Sequence, residues 1–300
     1  MLRPSWQLSA TIVALLLVAA LVLRPMPGRR ARLLTGFAWE FAIVFTLIGI
    51  WQYVGRFVHT KVEGAVENAQ GVWDVERAMH LPSEVWVQQL VLPHAWLMRA
   101  MNLFYESVHF NSMWMFLIWL WWYHRGEFRR ARTVMALTTL ACLLVQAIPV
   151  APPRMLPRLG FVDAALVYGQ SVYGPAGSGI ANQLSAMPSV HVAWAALLAF
   201  YGFRLCRNPW RWLFVAHFVI TLVVVVATAN HWWLDGLVAM GLMGLAILAR
   251  GLAEQAAAAV RAGRLGAGQL TGHPIADPAP QRSGRGIVVP VTMASPSAPD

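Results

Sequence analysis

The chain has 300 residues, of which 58% are hydrophobic and only 12% charged, and its formal net charge is +10. A soluble domain carries roughly a quarter of charged residues, so this composition excludes an ordinary soluble protein and indicates a surface that largely faces lipid. The positive charge lies in short arginine clusters between apolar runs rather than on one polar face, so no nucleic acid is expected as a partner.

Uncharged apolar runs predict an all-α, polytopic membrane helix bundle. A bilayer core requires roughly 20 apolar residues per helix, and runs near that length predict about six transmembrane helices. The last run is too long for one crossing and is divided at Asn230 and His231. The runs lie near residues 7–23, 35–55, 98–123, 133–151, 187–204 and 211–250.

The first run predicts an uncleaved helix, with a signal-peptide core as the alternative. No small-residue cleavage site follows it, and the arginines of residues 24–32 translocate poorly. The clusters at residues 125–132, at 204–211 and at Arg250 fall on the same side of the membrane. With that side cytoplasmic, the positive-inside rule places the N-terminus, the loops 56–97 and 152–186 and the turn at residue 230 on the outer side of the cell membrane.

Three regions follow from this reading: an N-terminal helix with its basic loop (1–34), a catalytic membrane domain (35–252) and a disordered cytoplasmic tail (253–300). The tail is rich in Gly, Pro, Ala and Ser without apolar periodicity. The outer segment 56–97 mixes acidic residues with Trp, Val and Leu, which predicts an amphipathic helix at the interface.

Polar residues at the outer helix ends are concentrated in three short stretches, namely residues 152–158, 187–191 and 230–235. Ionisable side chains at membrane depth are costly and are functional candidates for that reason. Because the three stretches share one predicted level, they indicate one composite site.

His231 and Asp235 are four residues apart, so a helix would place them on one face. The carboxylate would then hold the Nδ1 proton, leaving Nε2 with a free lone pair, as a nucleophilic histidine requires. A buried pair that merely satisfies itself between helices is the alternative. His191 begins a helix after Pro188 and Ser189, where it could protonate a leaving alkoxide.

Three residues are expected to bind phosphate. Arg154 and Arg158 lie in a proline-rich, non-helical segment, and two fixed guanidinium groups can clamp phosphate oxygens. Anchoring to lipid headgroups is the alternative for these arginines. Ser189 lies at the predicted start of the helix that carries His191, where backbone N–H groups form an anion site.

Together these residues predict in-line phosphoryl transfer through a phosphohistidine, with His231 as nucleophile and His191 as acid. No cofactor is expected and no metal is needed. A metal site built from His191, His231 and Asp235 remains an alternative, although no second carboxylate pair accompanies it.

These motifs resemble the type 2 phosphatidic acid phosphatase (PAP2) superfamily, and within it the branch of inositol phosphorylceramide synthase. The match rests on residues 188–191, on 231–235 and on the Pro-Pro-Arg segment at Arg154, and it spans roughly residues 35–250. The resemblance implies a six-helix bundle with an outward-facing site, in which His231 is the nucleophile, Asp235 its partner and His191 the acid and base.

The chain departs from the superfamily's phosphatases at three points. No Lys precedes Arg154 or Arg158 at the usual spacing, Val224 and Val225 occupy the place of a Ser-Arg pair, and Val190 replaces a Gly. These departures favour a lipid phosphotransferase, in which a polyol or lipid alcohol rather than water accepts the group. A lipid phosphatase and a non-catalytic membrane transporter or structural protein are the alternatives.

Further polar residues are expected to contact a lipid phosphate or phospholipid substrate. Tyr105, Glu106 and His109 lie near the outer end of the third run, and a hydrogen-bonded pair between helices is the alternative for the last two. Asn182 in the outer loop is expected to bind a polar headgroup. His217, deep in the fifth span, reads as a lone packing histidine.

Overall fold

The computed structural model describes residues 5–54, 62–170 and 184–270, and in this part of the chain it is all-α, with no β-strand. A π-helical turn, Phe104–Val108, joins α5 to α6, and two short 3-10 turns, Pro153–Met155 and Pro157–Leu159, precede α8. The α-helices are α1 (Trp6–Leu23), α2 (Arg29–Val54), α3 (Val62–Ala78), α4 (Glu84–Val91), α5 (Ala95–Leu103), α6 (His109–Tyr123), α7 (Arg125–Val145), α8 (Ala164–Val167), α9 (Val190–Leu205), α10 (Arg211–Ala227) and α11 (Trp233–Leu270).

The predicted membrane bundle is confirmed. Among the described residues three helices are long and apolar enough to cross a bilayer, Trp6–Leu23, Arg29–Tyr53 and Trp233–Ala262, and two shorter apolar helices are α9 and α10. The last apolar run breaks at residues 228–232, which include the predicted division at Asn230 and His231.

The chain divides into two compact units, residues 1–253 and 254–300. Of the second unit the structure describes only the helical residues 254–270, which are the end of α11. The helix therefore continues past residue 253, where the tail was expected to begin. Disorder of the tail stays a prediction.

The membrane core is built from large apolar and aromatic side chains of α2, α6, α7, α9 and α11. Phe41 of α2 stacks on Phe128 of α7 at 5.8 Å, and Trp121 of α6 meets Phe128 edge-on at 5.3 Å. On the outside of α1, α6 and α7, residues such as Leu15, Met115 and Leu144 expose most of their apolar surface, as lipid-facing positions do.

A buried carboxylate joins α2 to α7. Glu40 is 8% exposed and accepts from Arg129 at 3.0 Å and from Arg132. The contact places the first half of α2 beside the first half of α7, so the two basic clusters at residues 29–32 and 125–132 begin neighbouring helices at one end of the bundle. Breaking a buried ion pair by removing one partner is costly because the other charge is left uncompensated.

At the other end of the bundle a second layer covers the helix ends. Here α3 packs through Ala65, Ala69 and Val72 onto the loop residues 150–161 and onto Trp232. Main-chain bonds tie this layer together: Ala151 N donates to Ala65 O at 2.9 Å, and Val150 N donates to Leu184 O at 2.9 Å. The loops that carry the polar stretches are thereby held against one another.

We expect Glu40→Gln to lower the free energy of unfolding by about 2 kcal/mol, because it removes the charge that two arginines share. The loss is measured as a lower Tm of the purified protein in detergent. Glu127→Gln is the matched control, since Glu127 pairs with Arg130 one turn away on the same helix, and it should cost less than about 1 kcal/mol. Equal losses of Tm in the two variants would show that Glu40 does not hold α2 to α7.

Candidate active site

The turn between α10 and α11 is a compact structure with its own hydrogen bonds. The N–H groups of Asn230 and His231 both donate to Val225 O, each at 3.0 Å, and Ala229 has a positive φ of 53°. Asp235 Oδ2 accepts from Trp232 N at 2.9 Å. Because the first N–H groups of a helix lack partners within the helix, this carboxylate caps the start of α11.

The hydrogen bonds of His231 fix its tautomer. Its Nδ1 lies 2.8 Å from the carbonyl oxygen of Ala186 and 3.2 Å from Asp235 Oδ2. Both oxygens are acceptors, so Nδ1 must carry the proton, and Nε2 then carries a lone pair. Nε2 is buried and has no hydrogen-bond partner among the described residues.

The sequence anticipated the partner Asp235 but not Ala186, whose carbonyl is the nearer acceptor. A backbone group leaves no mark in a sequence motif. Ala186 is placed by a parallel bridge between Val150 and Ser185 and by its own N–H, which donates to Val150 O at 3.1 Å. The orientation of His231 therefore depends on two loops as well as on its own turn.

His191 lies on the first turn of α9, and its ring centroid is 5.5 Å from that of His231. Ser189 caps α9, since its Oγ accepts from Val192 N at 3.3 Å, while its own N–H donates to Asp235 O at 3.2 Å. Ser189 is completely buried. Its oxygen is thus occupied as a cap, and a hydroxyl proton remains for a phosphate oxygen.

Arg154 and Arg158, for which the sequence predicted the same role, lie in different environments. Arg154 is 7% exposed, its Nη1 donates to Asn230 Oδ1 at 2.6 Å, and its N–H donates to Ala229 O at 3.0 Å. Its Nε lies 3.6 Å from Asp163 Oδ2. Arg158 is instead exposed and donates to Gln70 of α3 at 3.3 Å. Only Arg154 is bound to the turn that carries His231.

Aromatic rings cover the other side of the histidine pair. Tyr105, in the π-helical turn, stacks on His191 at 4.4 Å and lies 6.3 Å from His231. His109 is buried, with its ring 5.2 Å from His191. A π-helical turn adds a residue to the helix and is frequent at functional sites; Glu106 lies in it, half-buried.

His217 is not a lone packing residue, so this sequence interpretation is wrong. Its ring is parallel to that of His109, at 5.5 Å and 7°. Four imidazole rings, those of His231, His191, His109 and His217, thus follow one another at 5.5, 5.2 and 5.5 Å. The four rings come from three helices (α6, α9 and α10) and the turn before α11, which is why no sequence spacing indicated the pattern.

One expected residue lies outside the described structure, and one residue without an expected role makes contacts in the site. Asn182 lies outside the described residues, so its expected headgroup contact stays a prediction. Asn230 received no role from the sequence, yet it binds Arg154 and also donates from Nδ2 to Thr228 Oγ1 at 2.8 Å. Its position directly before His231 was the only available signal.

In the described part of the chain no group of three or more His, Cys, Asp or Glu residues is arranged to hold a metal ion. The geometry brings together a histidine with a fixed lone pair, a second histidine and a buried guanidinium group. Groups of these kinds are used in nucleophilic and acid–base chemistry.

A family model of the PAP2 superfamily matches residues 70–249, more than half of the chain, and the chain belongs to that superfamily. The match includes every residue of the site described above. Searches of curated proteins and of solved structures gave no significant match. The protein is accordingly an enzyme of the phosphatase or phosphotransferase type that acts on lipid phosphates in a membrane.

We expect Arg154→Gln to lower kcat/KM on a lipid phosphate by about 10² to 10³, because a buried cation bound to the turn that carries His231 would stabilise charge developing on the phosphate. Arg158→Gln is the matched control and should cost less than about tenfold, since its side chain is exposed. Activity is measured in detergent micelles after gel filtration and Tm verify folding. Equal losses in the two variants would place both arginines at the phosphate.

Proposed function

We propose that the protein is a lipid phosphotransferase of the inositol phosphorylceramide synthase type, working through a phosphohistidine on His231. The observation that carries the proposal is the tautomer of His231, whose Nδ1 proton faces Ala186 O and Asp235 while Nε2 keeps its lone pair. A nucleophile has to present that lone pair to phosphorus before any substrate chemistry begins.

The reaction has two half-reactions. Nε2 of His231 attacks phosphorus, the bond from phosphorus to the leaving oxygen breaks, and His191 gives that oxygen a proton. Asp235 stabilises the positive charge on the ring, and Arg154 stabilises the charge on the phosphoryl oxygens. His191 then removes the proton of an acceptor hydroxyl, whose oxygen attacks phosphorus and breaks the P–N bond.

Transfer to an alcohol is favoured over hydrolysis by the surroundings of the site. His231, Asp235 and Arg154 are each less than 9% exposed, and Tyr105 covers the histidine pair. Val224 and Val225, where the superfamily's phosphatases have a Ser-Arg pair, are buried among apolar side chains. A site with fewer phosphate-binding groups and little water suits an acceptor that is itself a lipid or polyol.

Placement in the plasma membrane with the site on the non-cytoplasmic side belongs to the same proposal. It rests on the arginine clusters and on Glu40, which sets two of these clusters at one end of the bundle. The site lies beyond the opposite ends of α2 and α7, beside Ala151 and Trp232. Tyr105, Glu106, His109 and Asn182 are the residues that we assign to substrate binding.

We expect a radiolabelled lipid phosphate donor to label the wild type covalently, and His231→Ala to remove the acid-labile adduct. His191→Ala should form the adduct slowly from a natural leaving group and at nearly the wild-type rate from a nitrophenyl ester, which needs no protonation. Label on His231→Ala equal to that on the wild type would remove His231 from the nucleophile role.

The acceptor decides between transfer and hydrolysis. We expect little inorganic phosphate from a lipid phosphate alone, and formation of a new phosphodiester when a polyol or a lipid alcohol is added to a phospholipid donor. The products are resolved by thin-layer chromatography and mass spectrometry. Rapid phosphate release without an alcohol, unchanged by its addition, would make the protein a lipid phosphatase.

A further inference from the structure

The outer helix α3 reaches the active-site turn through one side chain. Glu76 Oε1 accepts from the N–H of Leu234 at 2.6 Å. Leu234 lies between His231 and Asp235, in the first turn of α11, where N–H groups have no partner within the helix. Two carboxyl groups thus share the N–H groups of this turn: Asp235 binds that of Trp232, and Glu76 binds that of Leu234.

Two acidic residues of the outer segment 56–97 are buried. Glu76 of α3 and Glu84 of α4 are both completely buried, whereas Glu67 on the same helix α3 is exposed. The prediction of an amphipathic helix did not assign each acidic residue to a face. Burying a carboxyl group without a cation is costly, so its protonation state matters.

Of the two buried carboxyl groups, Glu84 is the one that pairs with a cation. Arg77 Nη2 donates to Glu84 Oε2 at 3.1 Å and to Pro82 O at 3.1 Å. Its guanidinium group lies 4.5 Å from the centre of the Trp73 ring. The positive charge is therefore used by Glu84, and Glu76 has the carboxyl group of Glu84 and that of Asp235 as its charged neighbours.

A proton on Glu76 removes the repulsion between its carboxyl group and those of Glu84 and Asp235. Burial, together with the hydrogen bond to Glu84, raises the pKa of Glu76 to about 9, so the group is neutral at pH 7. Glu76 Oε2 and Glu84 Oε1 have no other hydrogen-bond partner in the described ranges. A single proton between the two carboxyl groups satisfies both oxygens, and Oε1 of Glu76 remains the acceptor for Leu234.

We propose that Glu76 is a positioning residue for His231, which holds the active-site turn through Leu234 N–H and does so as a neutral carboxyl group. The inference rests on the proposed function, because it concerns how His231 is oriented for attack. A neutral Glu76 also avoids a further negative charge beside Asp235, at a site that has to receive an anionic phosphate.

Three variants test the role. Glu76→Gln keeps an acceptor for Leu234 and gains an N–H donor for Glu84, so it should retain kcat within about threefold at pH 7. Glu76→Ala should lower kcat by about 10- to 100-fold with little change in KM, because the turn loses its support. Glu67→Ala, on the exposed face of α3, is the matched control and should leave both constants unchanged.

Backbone hydrogen exchange of the purified protein gives a readout that does not require activity. In Glu76→Ala the peptide covering residues 228–240 should exchange at least tenfold faster, while Glu76→Gln and Glu67→Ala match the wild type. If the wild type shows no activity on any lipid phosphate, the proposed function fails, and the exchange data still decide the positioning role. Unchanged exchange in Glu76→Ala would overturn that role.

The pH dependence gives the protonation state. The folded-state pKa of Glu76 lies above its ordinary value of 4.5, so its contribution to stability is complete below about pH 4.5 and is lost as the pH rises towards 9. Glu76→Gln cannot ionise, so its Tm should exceed that of the wild type by a margin that grows by several degrees from pH 5 to pH 9. A margin that does not change with pH would show that Glu76 is ionised in the folded protein, and the proposal would fail.

Discussion

The orientation of one imidazole ring depends on a backbone carbonyl. Ala186 O and Asp235 Oδ2 both face Nδ1 of His231, and the two acceptors together leave only one tautomer for the ring. A carboxylate alone could follow the ring through rotation of its side chain, whereas a carbonyl in a bridged loop cannot. The orientation of His231 therefore depends on the relative position of the loop that contains Ala186 and the 228–235 turn.

Main-chain hydrogen bonds between segments that are distant in sequence fix this relative position. The Pro-rich segment binds the turn through Arg154 N to Ala229 O, the 184–189 segment binds it through Ser189 N to Asp235 O, and both segments meet at Val150. Trp232 adds an indole N–H bond to Ala151 O at 3.0 Å. Because these bonds are buried, breaking one leaves an unsatisfied polar group and costs more than the bond itself contributes.

The helices and the histidines could be predicted from the sequence for definite physical reasons. Apolar runs indicate burial in lipid, and the spacing of four residues indicates that His231 and Asp235 share a helix face. Sequence reasoning could not predict Ala186, because every residue has a carbonyl group. It also did not separate Arg154 from Arg158, which have similar neighbours in sequence but different environments, and it assigned no role to Glu76. Those differences depend on tertiary packing, which brings Arg154 and Glu76, but not Arg158, against the turn that carries His231.

The buried contact of α2 with α7 extends the core beyond the residues of the family match. The matched stretch begins at residue 70, but Phe41, Val44 and Glu40 of α2 complete the core on which that stretch rests. A fragment cut at residue 70 would therefore expose the face of α7 that receives α2, and it would leave Arg129 and Arg132 without their shared carboxylate. A truncated form of the protein has to retain α2 for that face to stay buried.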